Sequence, residues 1–255
     1  NNLLCLGPNK LAAQMEGSKI FMKDVLKKGN IPTATYEVFS DPEPAREYLD
    51  TCDIPIVLKA DGLAGGKGVI VAFSREEALE ALNSLMVDQK LGSAGDNLVI
   101  EEFLKGEEAS FIVLCDGENV IPLASSQDHK QRDDGDKGPN TGGMGAYSPT
   151  PLITKELNEE IMQEIILPTL DELKRRNIEY KGFLYAGLMI DDQEIKVLEY
   201  NCRFGDPETQ PILMRMKSDF LRLCLKAAKQ ELKGEQIEWD ERFALGVVMA
   251  SKGYP

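Results

Sequence analysis

Histidine is almost missing from this sequence, with His129 the only one in 255 residues. That scarcity excludes an H-E-x-x-H metalloprotease helix and any multi-histidine metal centre within the chain. Serine hydrolase chemistry would need His129 as its base, and no G-x-S-x-G elbow accompanies it. Cysteine is sparse as well. Cys5, Cys52, Cys115, Cys202 and Cys224 are odd in number, scattered and never paired as C-x-x-C. They exclude a disulfide framework and a zinc knuckle and predict a reducing, cytoplasmic setting. No run reaches the ~20 apolar residues that a bilayer crossing requires, and Asn1-Asn2-Leu3-Leu4-Cys5 lacks the charged flank of a signal peptide. The expectation is a soluble chain with no membrane partner. Basic residues are outnumbered, 29 Lys and Arg against 43 Asp and Glu, for a formal net charge of −14. Long-range attraction to nucleic acid is therefore disfavoured, while a local cationic pocket stays open. With 42% apolar and 28% charged residues the chain has ordinary globular composition, and its length fits one large domain or two smaller ones.

What is present alternates short β-rich runs with helical periods. Leu11, Met15, Met22 and Leu26 predict one helical face that stops at Gly29. Ile54 to Lys59, Val69 to Phe73 and Asn97 to Glu102 read as strands, with a helix from Arg75 to Val87 between the last two. Glu107 to Cys115 and Asn119 to Ala124 form a predicted hairpin through Asp116-Gly117, whose glycine supplies the positive φ of a tight turn. Residues 127–151 have no period and predict a long loop. A helix from Leu157 to Arg176, kinked at Pro168, precedes strands Gly182 to Asp191 and Glu194 to Asn201. Helices from Pro207 and from Ser218 to Lys233 close the pattern, so the fold class is α+β or α/β. There is no methionine at position 1, and both ends cut into apolar runs. That predicts missing sequence on each side.

Four stretches carry candidate chemistry. Lys59-Ala60-Asp61-Gly62-Leu63-Ala64-Gly65-Gly66-Lys67-Gly68 is a glycine-rich turn between β runs, flanked by two lysines suited to a polyphosphate. It is not a Walker A motif, because Gly62 and Gly66 enclose three residues and Gly68 begins a strand. A hairpin with solvated lysines fits the same residues. In Val99-Ile100-Glu101-Glu102-Phe103-Leu104-Lys105-Gly106-Glu107-Glu108, a strand runs into an apolar connector. Its backbone suits an adenine edge, and the later carboxylate suits ribose hydroxyls; solvated acidic residues are the alternative. Glu199 and Asn201 share a face of the third stretch, Val197 to Glu208, about 6.8 Å apart, and can converge on a hard cation such as Mg²⁺. Arg203 beyond them suits a phosphate or carboxylate, and Pro207 predicts a helix start; a surface ion-pair cluster is the alternative. The fourth stretch joins Gln127-Asp128-His129-Lys130 to Gly138-Pro139-Asn140-Thr141-Gly142-Gly143-Met144-Gly145-Ala146. Its glycines and Thr141 suit a small zwitterion, Asp128 suits an amine, and His129 reads better as a stacking residue than as a base. A disordered loop fits these residues too.

Taken in order, KADGLAGGKGV, VIEEFLKGEEAS, QDHK with GPNTGGMGAYSP, and LEYNCRFGDPETQ closely resemble the phosphoribosylamine–glycine ligase family of ATP-grasp enzymes. The resemblance runs from Gly7-Pro8 to Gly253-Tyr254-Pro255. It implies an ATP-grasp fold, α+β, holding nucleotide between two subdomains: 1–31 as linker and helix from an upstream domain, 32–104 as the lid subdomain, and 105–255 as the core subdomain. The implied activity is ATP-dependent joining of glycine to 5-phosphoribosylamine through a glycyl phosphate, in purine synthesis. Another ATP-grasp carboxylate–amine ligase, or a fragment that binds ATP without turnover, is the alternative.

The implied cofactors are ATP and Mg²⁺, or Mn²⁺ in its place, and fusion to or association with other purine-pathway enzymes is a further implication. Carried over by position, Lys59, Lys67, Glu101, Glu102, Phe103, Leu104, Glu108, Lys130, Asn140 and Leu198 would contact ATP. Glu101 would take the adenine amino group and Glu108 the ribose. Glu199 and Asn201 would hold the metal, and Arg203 with Lys67 would act on the transferring phosphoryl. Asp128, Thr141, Gly142, Gly143, Arg203, Asp206 and Glu208 would bind the small substrates. One departure stands out: many ATP-grasp enzymes place a second carboxylate about twelve residues before the metal-strand glutamate, and this sequence has Gly187 there.

Overall fold

A computed structural model describes residues 3–63, 68–135, 137–191 and 194–255. The chain opens with α1 (Gln14–Gly17) and α2 (Lys19–Lys28). The predicted single helix is broken at Ser18, whose backbone is extended and whose Oγ accepts the Phe21 N–H as an N-cap. The break resets the helical period. Met15, Met22 and Leu26 are buried, whereas Leu11, expected on the same face, lies out in solvent.

The first sheet is built from β1 (Tyr36–Phe39), β2 (Ile56–Ala60), β3 (Val69–Ala72) and β4 (Leu98–Glu102). Its order is β1-β4-β2-β3, antiparallel throughout. Helices α3 (Pro42–Thr51) and α4 (Arg75–Leu82) cover it with Ala45, Leu49, Ala78 and Leu82 packed on Leu58 and Ile100. Neither β1 nor α3 was expected from the sequence; α3 starts at a proline behind an Asp41 cap, a combination that favours a helix start. A π turn over Asn83–Val87 extends α4 to the expected end.

The second sheet uses the long strands β5 (Glu107–Asp116) and β6 (Val120–Pro122). They form the expected hairpin, with Gly117 at φ +102°. The stretch expected to be an aperiodic loop instead folds into β7 (Gln127–Asp128), β8 (Gln131–Asp133), β9 (Lys137–Asn140) and β10 (Gly145–Ser148). These strands are too short to show a two-residue period. Next come α5 (Lys155–Ile161) and α6 (Leu167–Arg175), joined by a π turn over Met162–Ile166. Pro168 has no N–H for the carbonyl of Glu164, and the widened turn ahead of it replaces the expected kink.

β11 (Lys181–Asp191) and β12 (Glu194–Asn201) complete the order β12-β11-β5-β6, and α7 (Thr209–Arg215), α8 (Phe220–Lys229) and β13 (Ala244–Val247) end the chain. β13 and β7 flank β10 in a third, small sheet. Pro207 does not open a helix, since α7 begins two residues later at Thr209.

Alternation divides the second sheet. Phe111, Val113, Leu184, Ala186 and Val197 face a core shared with Met15, Met22, Leu26 and Leu173. The residues expected on one helical face of the opening segment, Met15, Met22 and Leu26, are part of that core. The opposite face buries Ile112 and Leu114 under α7 and α8 and turns Glu108 and Ser110 toward a cleft against the first sheet. No helix among the described residues is long and apolar enough to cross a membrane, and all five cysteines are free.

Candidate active site

The cleft between the two sheets has a volume of about 420 Å³. Its two ends differ in chemistry. At one end Val57 and Val71 of the first sheet stand across from Met189 and Leu198 of the second, beside the connector Phe103-Leu104. This is an apolar slot of the kind a flat heterocycle fills. At the other end Lys19, Lys59, Lys130 and Arg203 gather around Glu199 and Asn201.

Glu199 reaches this end because β12 is irregular. Ile195 and Val197 point into the core, and strict alternation would send Glu199 after them. A bulge intervenes: Gly187 pairs with Glu199 but Leu188 pairs with Val197, so Leu198 is the extra residue. Tyr200 then returns to the core while Glu199 and Asn201 both face the cleft. Asn201 Nδ2 donates to Glu199 Oε1 at 3.3 Å. Burial pulls the Glu199 carboxyl up, but Lys130, Lys59, the Asn201 amide and Lys19 outweigh it and hold it below the usual range. No cation stands within ion-pair distance of it among the described residues. Gly187 has no space to spare, since an added Cβ would lie 3.2 Å from Glu199 Cγ.

A side-chain carboxylate and an amide oxygen from one strand are hard donors suited to Mg²⁺. Among the described residues no group of three or more His, Cys, Asp or Glu gathers to cage an ion. The donor set therefore fits a metal that takes one or two protein oxygens and completes its shell with phosphate and water.

Of the other expected site residues, Glu101 is almost fully buried, its Oε2 3.0 Å from Lys59 Nζ and its Oε1 3.3 Å from Lys23 Nζ. Its carboxylate, expected at the adenine amino group, is therefore engaged by two ammonium groups. Lys59 Nζ also donates to the Leu198 carbonyl at 3.3 Å. Glu102 accepts the Thr35 N–H at 2.9 Å and lies 3.5 Å from Lys196, so its side chain ties the two sheets together while the residue borders the cleft. Glu108 meets Lys130 Nζ at 2.9 Å. Lys130 is held strongly in its charged form: burial opposes the ammonium, but Glu108, Glu199 and Asp128 outweigh it.

Burial pushes the Asp128 carboxyl up to about 6, with Glu208 and Glu108 adding to the rise and Lys130 opposing it. Glu208 is buried too. Its Oε1 accepts from Ser110 Oγ at 2.9 Å, Ser110 in turn meets the Tyr185 hydroxyl at 2.9 Å, and Glu208 Oε2 has no hydrogen-bond partner among the described residues. Asn140, Thr141, Gly142 and Asp206 line the cleft. Gly143 does not: its φ is +122°, an added Cβ would lie 2.3 Å from Pro207 Cδ, and its N–H bonds Thr141 Oγ1. It supports the loop by close packing. His129 stacks on Tyr147 at 6.0 Å, outside the cleft. Lys67 lies outside the described residues.

Sequence reasoning missed Lys19, Lys23, Glu16 and Tyr185. Asp61 caps α2 by accepting from Ser18 Oγ at 3.0 Å and Ile20 N at 2.9 Å, which brings Lys19 to the mouth of the glycine-rich turn. Glu16 accepts the Cys202 N–H at 2.7 Å and lies 3.4 Å from Arg203 Nε, orienting that guanidinium. These contacts join residues far apart in sequence, and the one signal for them was the Gly17-Ser18 break within a helical period.

Residues 17–209 match the family described as phosphoribosylglycinamide synthetase, ATP-grasp (A) domain. The chain belongs to this family. It is 58% identical over 250 residues to a phosphoribosylamine–glycine ligase of Vibrio vulnificus, covering 98% of this chain and 58% of that protein. The corresponding ligase of Escherichia coli K12 is 57% identical over 254 residues, covering 99% of this chain and 59% of its own. Among solved structures, a phosphoribosylamine–glycine ligase from Thermotoga maritima superposes with a TM-score of 0.86 at 39% identity, covering 98% of this chain and 63% of that one. The biotin carboxylase domain of Hydrogenobacter thermophilus 2-oxoglutarate carboxylase, solved with MgADP, shares the fold at TM-score 0.70 and 20% identity, over 94% of this chain and 51% of its own. The chain spans under two thirds of the length of these ligases. The ATP-grasp fold, with its two sheets closing on one cleft, is thus the fold of this chain.

Proposed function

We propose that this chain is the nucleotide-binding and acyl-activating part of a cytoplasmic ligase that joins glycine to 5-phosphoribosylamine using ATP. The observation that carries the reading is the divided cleft, an apolar slot at the connector end and a cationic crowd around Glu199 and Asn201 at the other. Adenine occupies the slot against Val57, Val71, Met189 and Leu198. The polyphosphate extends along Lys59 and Lys130 toward Arg203, with Lys67 assigned to the same phosphates from the glycine-rich turn.

A carboxylate is a poor acyl donor because oxide is a prohibitive leaving group. A glycine carboxylate oxygen therefore attacks the γ-phosphorus, the bond to the bridging oxygen breaks, and ADP departs with the electron pair. The amine of 5-phosphoribosylamine then attacks the acyl carbon, loses a proton, and inorganic phosphate leaves. No protein nucleophile is needed, and positioning with charge neutralisation does the catalysis. Glu199 and Asn201 would hold Mg²⁺, which would supply neutralisation of the phosphate charge. Lys59, Lys130 and Arg203 hold the charge as it shifts toward ADP. Asp128 and Glu208 present carboxylates to an amine, the first raised to about 6 and the second with an oxygen that has no hydrogen-bond partner among the described residues.

The test has two stages. Calorimetry on the chain should show Mg²⁺-dependent binding of ADP; its absence defeats the nucleotide assignment. In the protein extended to the length of its relatives, phosphate release should require both glycine and 5-phosphoribosylamine. A second reading, a ligase acting on another carboxylate and amine, draws on the shared fold of an L-amino acid ligase from Bacillus licheniformis, TM-score 0.67 at 20% identity. Release with other amino acids in place of glycine would favour it.

A further inference from the structure

Lys23 is fully buried, lines no part of the reaction scheme above, and sits behind the wall of the cleft on α2. Its Nζ lies 3.3 Å from Glu101 Oε1 and donates to Thr33 Oγ1 at 2.8 Å, and Thr33 Oγ1 donates onward to the Val197 carbonyl at 2.6 Å. The other oxygen of Glu101 holds Lys59 at 3.0 Å, and Lys59 reaches the Leu198 carbonyl. The Tyr36 ring closes the far side of Lys23, 5.1 Å from Nζ to the centroid. One carboxylate thus stands between two ammonium groups, on a path running from α2 through the first sheet to β12 of the second. Only Lys59 of the two opens on the cleft.

The charge arithmetic has a consequence. A lone Lys59–Glu101 pair would be neutral, and a buried neutral pair has little attraction for phosphate. With Lys23 sharing the carboxylate the triad carries one net positive charge, and the cleft side is where that charge meets a ligand. In a low-dielectric wall such a difference is felt much more strongly than in water.

We propose that Lys23 is a positioning residue for nucleotide binding, sharing the Glu101 carboxylate so that Lys59 keeps positive charge available to a phosphate. The proposal rests on the nucleotide reading of the cleft. Burial draws the Lys23 ammonium down to about 8, with Glu101 and, more weakly, Glu102 working to raise it and Lys59 to lower it. The charge that Lys23 lends is therefore lost as pH rises through that value, and phosphate affinity falls with it.

The test compares ADP with adenosine, which lacks phosphate, by calorimetry on the chain with Mg²⁺ at pH 7. In Lys23→Met, ADP should bind at least tenfold more weakly while adenosine changes less than twofold. Lys23→Met combined with Glu101→Gln removes the unshared carboxylate and should restore ADP affinity to within about threefold of the parent. Raising the pH of the parent from 7 to 9 should weaken ADP severalfold more than adenosine, and this measurement carries the test if Lys23→Met fails to fold. Equal weakening of ADP and adenosine, no weakening of either, no recovery in the double variant, or an ADP affinity in the parent that does not fall between pH 7 and 9 would each overturn the proposal. If the parent chain binds no ADP, the nucleotide reading itself falls, a result distinct from ADP binding that Lys23 leaves untouched.

Discussion

Glu101 on β4 is buried and Glu199 on β12 partly so; both carboxylates lie near strand ends, face the same cleft and have lysines nearby. Their bonding differs. Glu101 touches two ammonium groups at 3.0 and 3.3 Å. Glu199 has Lys130, Lys59 and Lys19 in its field but, among the described residues, accepts only the Asn201 amide, at 3.3 Å. The difference separates two uses of one residue type. A carboxylate already paired by the fold is part of the framework, and one whose cations stand off keeps lone pairs for something that arrives later. Proximity of charge alone would have assigned both the same role.

The comparison breaks most clearly under truncation of each carboxylate. Glu101→Ala strands Lys23 in the interior without its partner, and loss of one member of a buried ion pair costs about 3–5 kcal/mol. Urea unfolding should show a loss of that order, and an unchanged midpoint would mean the two lysines hold nothing up. Glu199→Ala should instead leave the midpoint within about 1–2 kcal/mol of the parent. Its effect falls on the reaction, with phosphate release in the extended protein reduced about 100-fold or more, equivalent to about 2.7 kcal/mol of transition-state stabilisation. Equal stability losses in the two variants would abolish the distinction.

Much of this contrast was out of reach of the sequence. The connector Glu101 to Leu104 and the strand carrying Glu199 and Asn201 were legible because a short apolar period brackets each, and periodicity is a local property. The hairpin through Asp116-Gly117 was legible for the same reason. The partners of the two carboxylates were not. Lys23 sits on a helix whose charged positions look like an ordinary solvated face, and its contact with Glu101 spans 78 positions. The bulge at Leu198 had left a trace, since Ile195 and Val197 keep one parity and the next core residue, Tyr200, breaks it. Residues 127–151 read as a loop because strands of two to four residues carry no usable alternation.

Asp128 offers a smaller effect with a definite sign. A carboxyl free in the unfolded chain titrates near ~3.9, and in the folded protein burial raises it to about 6. The folded state thus binds more protons between those values, so ionising Asp128 erodes stability as pH climbs through that window. Asp128→Asn escapes the cost. It should match the parent well below pH 4 and exceed it by about 3 kcal/mol above pH 7, while the proposed function has phosphate release in the extended protein drop with the loss of a carboxylate for the amine. A stability gain independent of pH would show that burial is not what lifts this group.

The smallest expected effect probes the space opposite Glu199. Gly187 pairs with Glu199 across β11 and β12, and an alanine methyl there would meet Glu199 Cγ at 3.2 Å, closer than the contact tolerates without a few tenths of an ångström of movement. The shift is small and acts on a side chain rather than the backbone, so folding should be spared. The carboxylate, however, would move with Cγ, and in the proposed function that displaces a metal donor. Gly187→Ala should therefore raise the Mg²⁺ concentration needed for half-maximal ADP binding severalfold and leave binding at saturating Mg²⁺ unchanged. The same substitution should have no counterpart at Glu101, whose geometry is set by two lysines rather than by an open neighbour. An unaltered Mg²⁺ titration in Gly187→Ala would place the cation away from Glu199 and return that carboxylate to the framework alongside Glu101.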